Sequence, residues 1–475
     1  MTRVALTTGS YSTRSIIASA QRSLNLYAEK NPPDALSPYT HYLTQGLTPV
    51  GTPPTNATVR GLFTASNNQL FAAVGIGLYY IASDWSATLL TGALAPGVTP
   101  IKMQDNGNTL VVVDGSLTPG GFEVDLPTHV VTGISDVAWL GSNFVEYVDT
   151  YLLFNEPATD IFYSTTSGVV QPFNALYFAG KTGYSDLLAG IAVQQRQIWL
   201  IGQKTTEIWF NAGGSAFPFQ IMPGPFIEHG TGAPYSIAKQ GGSVFWLSQD
   251  LSGQLIVVEG SGYQTKSIST PAIEAEMATY STTTDAIGFC FEQLGHPFYW
   301  LKFPTAGKDW VFDLSTRLWH ERCWLDANGN EQGHRANCAA FAYGVNVVGD
   351  RLNGQLYTLD PNNFTDFGGP IKRLRGFPHM MNDGKRAFYT QFLADMQCGD
   401  ATFSGLTVSL DWSDDRGATY GTPLTQSIGD PGDFLVQPQW RRLGMARDRV
   451  FRLTWTAAAN TALNGAFVDV MPSES

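Results

Sequence analysis

The sequence predicts an all-β chain: a β-propeller of six or seven blades over residues 60–368, followed by a small C-terminal β-sandwich domain over 371–475. Three observations carry this prediction. A unit of two short apolar strands recurs along most of the first 360 residues. Gly (49) and Pro (26) punctuate the 475-residue chain, which suits short strands and turns and breaks long helices. Hydrophobic residues reach 43% and aromatics 12%, whereas charged residues are 14%, below the roughly 25% of a typical soluble chain. That composition excludes disorder, supplies several packed cores, and leaves weakly charged surface of the kind that meets other subunits.

Residues 1–59 are rich in Pro and polar side chains. This segment either wraps the propeller or contributes a strand that closes its ring. Its opening residues lack an apolar stretch, so no secretory signal is expected. The repeat then begins, with hairpins at 69–81, 109–125, 151–164, 197–210, 244–260, 298–313 and 345–360. Anchored on Leu78, Phe122, Ile161, Ile208, Leu255, Trp310 and Leu356, the units are 39 to 55 residues apart. A four-stranded propeller blade recurs at roughly 40–50 residues. The strands are rich in β-branched and aromatic residues, as strands buried on one or both faces are.

One helix is predicted: Thr270 caps it, Pro271 takes its first position, and AIEAEMATY follows. Gly368, Gly369 and Pro370 then break the rhythm. Beyond them, LTVSLDW (406–412) and RVFRLTW (449–455) read as strands of the separate sandwich.

The net charge is −12, and tight binding to nucleic acid by counterion release needs the opposite sign. Residues 372–452 hold eleven basic and nine acidic side chains, a local +2 that leaves −14 on the remainder. Eight of the basic residues fall in two groups, Lys372, Arg373 and Arg375, and Arg441, Arg442, Arg447, Arg449 and Arg452. They are expected to alternate on solvated strands or to pair across a subunit interface. Cys290, Cys323, Cys338 and Cys398 form no CxxC pair and read as reduced thiols. The longest apolar run, 70–82, is broken by Gly75 and Gly77 and is too short to span a bilayer, so no membrane partner is expected.

Four motifs suggest chemistry, and each fails on context. ALYFAGKT (175–182) has the outline of a phosphate-binding loop, but Leu176, Tyr177 and Phe178 replace the small residues whose amides would curl round phosphates. SDDRGATY (413–420) matches the Asp-box turn, in which Asp415 would hold backbone amides and Tyr420 would pack beneath the hairpin. His320, Cys323, His334 and Cys338 are four nitrogen and sulfur ligands of the type tetrahedral zinc takes. They lack the tight pair of a compact zinc knuckle, and a blade-core reading is preferred. Asp326, Asn328 and Asn330 open like a calcium loop, with Glu331 where the sharp turn needs glycine. No catalytic, cofactor-binding or metal-ligating residue is therefore nominated.

Several stretches carry a resemblance. In order, they are SLNLYAE (23–29), TQGL (44–47), VRGL (59–62), GQKTTEIWFNAGGSAFPFQ (202–220), GTGAPYSIA (230–238), VFWLSQD (244–250) and GYQTKSISTPAIEAEMATY (262–280). With WRRLGMARDRVFRLTW (440–455), this series resembles the packaged-DNA-stabilisation proteins of short-tailed bacteriophages, the tail hub or tail accessory family. Gln45 departs from it, standing where proline is expected in that turn.

The resemblance implies a virion protein of the phage tail, assembled in the host bacterial cytoplasm as a homo-oligomer, a hexameric ring. Such a ring would extend the DNA channel at the head-to-tail junction and retain the packaged DNA. Its implied partners are the portal and tail adaptor, tail spikes or fibres, and a needle or plug. DNA would pass through without sequence-specific binding. The alternative is a glycan-binding or glycosidase-like propeller acting on the host envelope.

Overall fold

The computed structural model describes residues 2–9, 13–116, 120–249, 253–400 and 404–473. Residues 117–119 and 250–252, where the sequence predicts the turns of the second and fifth hairpins, lie outside the described residues, as do residues 1 and 474–475 at the ends of the predicted domains.

Seven four-stranded antiparallel blades are formed by the described residues. Blade 1 comprises Val59–Thr64, Leu70–Val74, Gly77–Ile81 and Ala87–Thr91. Blades 2 to 5 run from innermost strands Lys102–Asp105, Val145–Val148, Leu188–Gln194 and Ala238–Gln240 to outermost strands Val131–Gly133, Phe178–Gly180, Phe219–Ile221 and Gln264–Ser267. Blade 6 runs from Ile287–Gln293 to Leu318–Arg322. Blade 7 is Ala336–Ala342, Val345–Asp350 and Leu356–Asp360, completed from the chain start by Gly46–Gly51 in antiparallel register. The chain thus closes its ring with an early strand.

Each recurring hairpin is the middle pair of a blade, and packing explains its apolar run. In Thr109–Val113, Leu110 and Val112 enter the core shared with blade 1, while Val111 and Val113 enter the core shared with blade 3. A strand flanked by neighbours on both faces needs apolar side chains at every position, with successive residues serving different cores. Full burial of each such side chain is worth about 1.5–3 kcal/mol. Blades also approach closely at Gly288. A Cβ there would lie 2.1 Å from the Ser236 carbonyl oxygen, so the innermost strand of blade 6 can sit against the turn before blade 5.

The predicted helix is Pro271–Met277, with the Thr270 hydroxyl accepting from the Ile273 amide at 3.4 Å. Ile273 and Met277 are buried in the core between blades 5 and 6. This insertion lengthens the spacing to 55 residues at that point of the repeat.

The C-terminal part is a two-sheet sandwich. One sheet is built on Leu463–Pro472 and Ala387–Met396, flanked by Thr2–Ala5 and by the hairpin Leu26–Lys30 with Tyr39–Leu43. The other contains Arg373–Gly376, Asp448–Trp455 and Thr407–Ser413. Phe377, Phe392, Trp440, Phe451 and Val468 fill the space between them. Ser23–Leu24 pairs in parallel with blade 6 through Leu24 and Glu321, and antiparallel with Arg373–Gly376. One sheet therefore runs from the propeller into the sandwich, and the N-terminal segment contributes strands to both.

Candidate functional site

The junction between propeller and sandwich concentrates the polar chemistry of the fold. Asn25 sits at its centre with φ +53, a left-handed conformation that asparagine tolerates. Its side-chain amide donates to the carbonyls of Cys323 (3.2 Å) and Lys372 (2.8 Å), and its Oδ1 accepts from the Cys323 amide (3.1 Å). One side chain thus ties the end of blade 6 to the start of the sandwich. Beside it, Arg22 grips Glu321 through two bonds, 2.8 and 2.6 Å, and reaches Glu331 at 2.7 Å. Lys372 completes the network on Glu331 at 2.8 Å. Burial raises the Glu331 carboxyl, but Arg22 and Lys372 outweigh it and hold the group down at about 2.

The basic residues that the sequence placed on solvated strands or at an interface divide differently in the structure. Arg373 and Arg375 are fully buried and Arg449 is 2% exposed. Arg375 donates to Gln21 Oε1 (2.9 Å) and the Thr8 carbonyl (3.2 Å), and burial pushes it down to about 9. Arg373 reaches the Ala457 carbonyl at 2.9 Å and is pushed down by burial to about 10. Arg449 pairs with Asp414 at 2.6 Å, and Arg452 with Asp411 at 2.5 Å. Arg441, Arg442 and Arg447 remain exposed. The buried arginines are internal struts, because Arg373–Gly376 lies centrally in the sheet that joins the two parts.

The four motifs resolve into structural roles. Lys181 is fully buried against Asp186 and donates to the Thr205 hydroxyl at 2.6 Å, so the phosphate-loop outline holds a closed ion pair. Asp186 also accepts from the Lys204 and Thr205 amides, at 2.7 and 3.0 Å. Asp415 accepts from the Thr419 amide at 2.8 Å, and the Ser413 and Thr419 hydroxyls hold its carboxyl at about 2. Tyr420 lies under the Arg452 guanidinium, 3.7 Å from its ring centre. Asp326 caps a hairpin turn, accepting from the Asn328 and Asn330 amides at 2.9 and 2.8 Å.

The His/Cys quartet does not converge. His320 packs its ring against Phe298, Cys323 accepts from Asn25, His334 Nδ1 accepts from the Ala336 amide at 3.1 Å, and Cys338 faces the Val59 carbonyl in blade 1. No group of three or more His, Cys, Asp or Glu side chains among the described residues is arranged to hold a metal ion.

Gln45 acquires a reason. Its Oε1 accepts at 2.6 Å from Arg322, a buried cation stacked 4.6 Å from the Trp300 ring centre. Proline at that position would supply no such acceptor. Sequence reasoning missed Asn25, Arg22 and Arg322, whose partners lie about 300 residues away along the chain for Asn25 and Arg22 and at Gln45 for Arg322.

On the outside of the sandwich, Phe388 is directly opposite Met445 on one side and Met471 on the other, all three exposed. They make an apolar row across three strands.

The family model described as bacteriophage P22 Gp10, beta-propeller, matches residues 2–363, and that described as bacteriophage P22 Gp10, beta-sandwich, matches residues 372–471. No curated protein matches the chain. Among solved structures, the extracellular domain of the hybrid two-component system BT4673 from B. thetaiotaomicron is similar at 9% identity and a TM-score of 0.45, over 66% of this chain and 40% of that one. A catalytically inactive virginiamycin B lyase from Staphylococcus aureus, with quinupristin, is similar at 8% identity and a TM-score of 0.46, over 66% of this chain and 98% of that one. The N-terminal domain of Nup159 is similar at 8% identity and a TM-score of 0.40, over 72% of this chain and 99% of that one. Likenesses this distant bear on neither activity nor partners.

Proposed function

The chain belongs to the bacteriophage P22 Gp10 family, structural proteins of the phage tail, and we propose that it is the tail hub at the head-to-tail junction. The observation that carries this reading is coverage: the two family models take in residues 2–363 and 372–471 in order, as one propeller and one sandwich. In this reading six copies form a ring in the virion tail, assembled in the host cytoplasm on the portal and its adaptor. The ring extends the DNA channel, retains the packaged genome, and presents surface to tail spikes or fibres and to a needle or plug. The role needs no catalysis. A net charge of −12 suits a conduit through which DNA slides without being gripped.

Two features support a load-carrying part of an assembly. The junction network of Arg22, Asn25, Glu321, Glu331 and Lys372 fixes the sandwich to blade 6. The exposed row Phe388, Met445 and Met471 offers an apolar face that a neighbouring subunit would cover. A closed ring needs two different faces per subunit, because its contacts run head to tail.

The test is genome retention. Particles assembled without this protein should fill with DNA and then lose it, and supplying the protein should restore stable, infectious particles. Particles that keep their genomes and infect without it would remove the hub role and bring forward a glycan-directed propeller.

A further inference from the structure

The seven innermost strands surround an axial cavity of about 280 Å³, lined in part by Lys102, Glu146, Lys239, Tyr235 and Asn337. Its charge does not balance. Lys239 pairs with Glu146 at 2.5 Å, and Glu146 is the acidic residue lining this cavity. Lys102 has no carboxylate within ion-pairing distance among the described residues, and its ammonium lies 5.4 Å from the Phe144 ring centre. Arg60, in the same wall, is already engaged with the carbonyls of Thr99, Gly75 and Ala95. Two ammonium groups thus share one carboxylate inside a polar cavity, and a partly buried cation without a counterion is costly. The volume accommodates a tetrahedral oxyanion with several waters, each occupying about 30 Å³.

We propose that the propeller axis is a binding site for a small oxyanion of phosphate size, held by the ammonium groups of Lys102 and Lys239. Phe144, with Tyr235 stacked on it at 5.6 Å, forms an apolar flank that strengthens the electrostatic interaction. Asn337 is held to the Val59 carbonyl at 3.0 Å and keeps the opposite wall in place. This inference goes beyond the hub reading and does not depend on it.

The site has a pH signature. Burial pushes Lys102 down to about 8, Glu146 opposes that shift, and Lys239 adds to it. The other ionisable groups facing it are Arg60, Tyr235 and Cys338. A bound anion favours the charged ammonium, so binding takes up protons near and above pH 8. Affinity for an oxyanion that does not itself titrate in this range, such as sulfate, should be level below that pH and fall above it.

The test is titration calorimetry of the full chain with inorganic phosphate, against chloride at matched ionic strength. Saturable binding is expected, weakened roughly ten- to hundredfold by Lys102→Met, the effect of losing one charge-assisted hydrogen bond. Glu146→Gln removes the competing carboxylate and should tighten binding. Circular dichroism establishes that each variant is folded, and if K102M is not, E146Q decides. No saturable binding at millimolar phosphate, a folded K102M that binds as the parent does, or an E146Q that fails to tighten would each overturn the proposal.

Discussion

Replacing Lys302 with Met would leave a carboxylate alone in the core of blade 6. The Lys302 and Asp309 side chains are 1% and 0% exposed and lie 3.0 Å apart. Asp309 also accepts from the Trp300 indole at 2.8 Å and the His334 amide at 2.7 Å, while Lys302 donates to the His334 carbonyl. At an effective dielectric of about 20, two unit charges at this separation attract by roughly 5 kcal/mol. Desolvation offsets much of that in the intact pair, but removing one partner exposes the whole penalty of the other. Lys302→Met should therefore cost about 3–5 kcal/mol. Combining it with Asp309→Asn should cost less than the sum of the two single changes. Urea titrations of both singles and the double, followed by tryptophan fluorescence and far-ultraviolet dichroism, measure this. A cost below about 1 kcal/mol for Lys302→Met would mean instead that Asp309 finds water or another cation and that the buried pair is not what holds this part of blade 6.

Three further outcomes follow from the same physics. Burial lifts the Asp366 carboxyl from an ordinary value near 3.8 to about 7, against the opposing Arg322 and Arg373 charges. Its contribution to stability is complete below pH 4 and lost as pH rises through 7, so Asp366→Asn should flatten that decline, by up to about 4 kcal/mol at pH 8, and change little at pH 4. Denaturation midpoints of parent and variant at the two pH values check the sign. Leu47→Ala truncates a fully buried side chain on the ring-closing strand; a loss of about 2–5 kcal/mol is expected, read in the urea midpoint. Gly288→Ala places a methyl 2.1 Å from the Ser236 carbonyl oxygen. It should cost about 1–3 kcal/mol and loosen blade 6 against blade 5, seen as faster amide exchange in the innermost strands.

The middle strands of the blades were legible because burial on both faces forces runs such as LFAAV and TLVVV. Innermost and outermost strands were not. Lys102–Asp105 faces the axial cavity on one side, and Gln264–Ser267 is largely exposed, so neither shows an apolar pattern. The helix was legible from its cap alone. Arg373 and Arg375 misled because alternation with Leu374 reads as one wet face, whereas the strand is enclosed on both. The His/Cys quartet looked compact along the chain, yet His320 lies on the outer strand of blade 6 and Cys338 on the inner strand of blade 7, with Cys323 and His334 in the connection between them. Asn25 carried no signal, because its partners become neighbours only when the N-terminal segment threads between propeller and sandwich.

Assembly as a tail hub would be seen in a cryo-electron microscopy reconstruction of the intact tail. Six copies are expected in a closed ring below the portal adaptor, each fitted by one seven-bladed propeller and one sandwich, with the DNA channel on the ring axis. Finding the chain at the tips of the tail spikes, or absent from the virion, would contradict it.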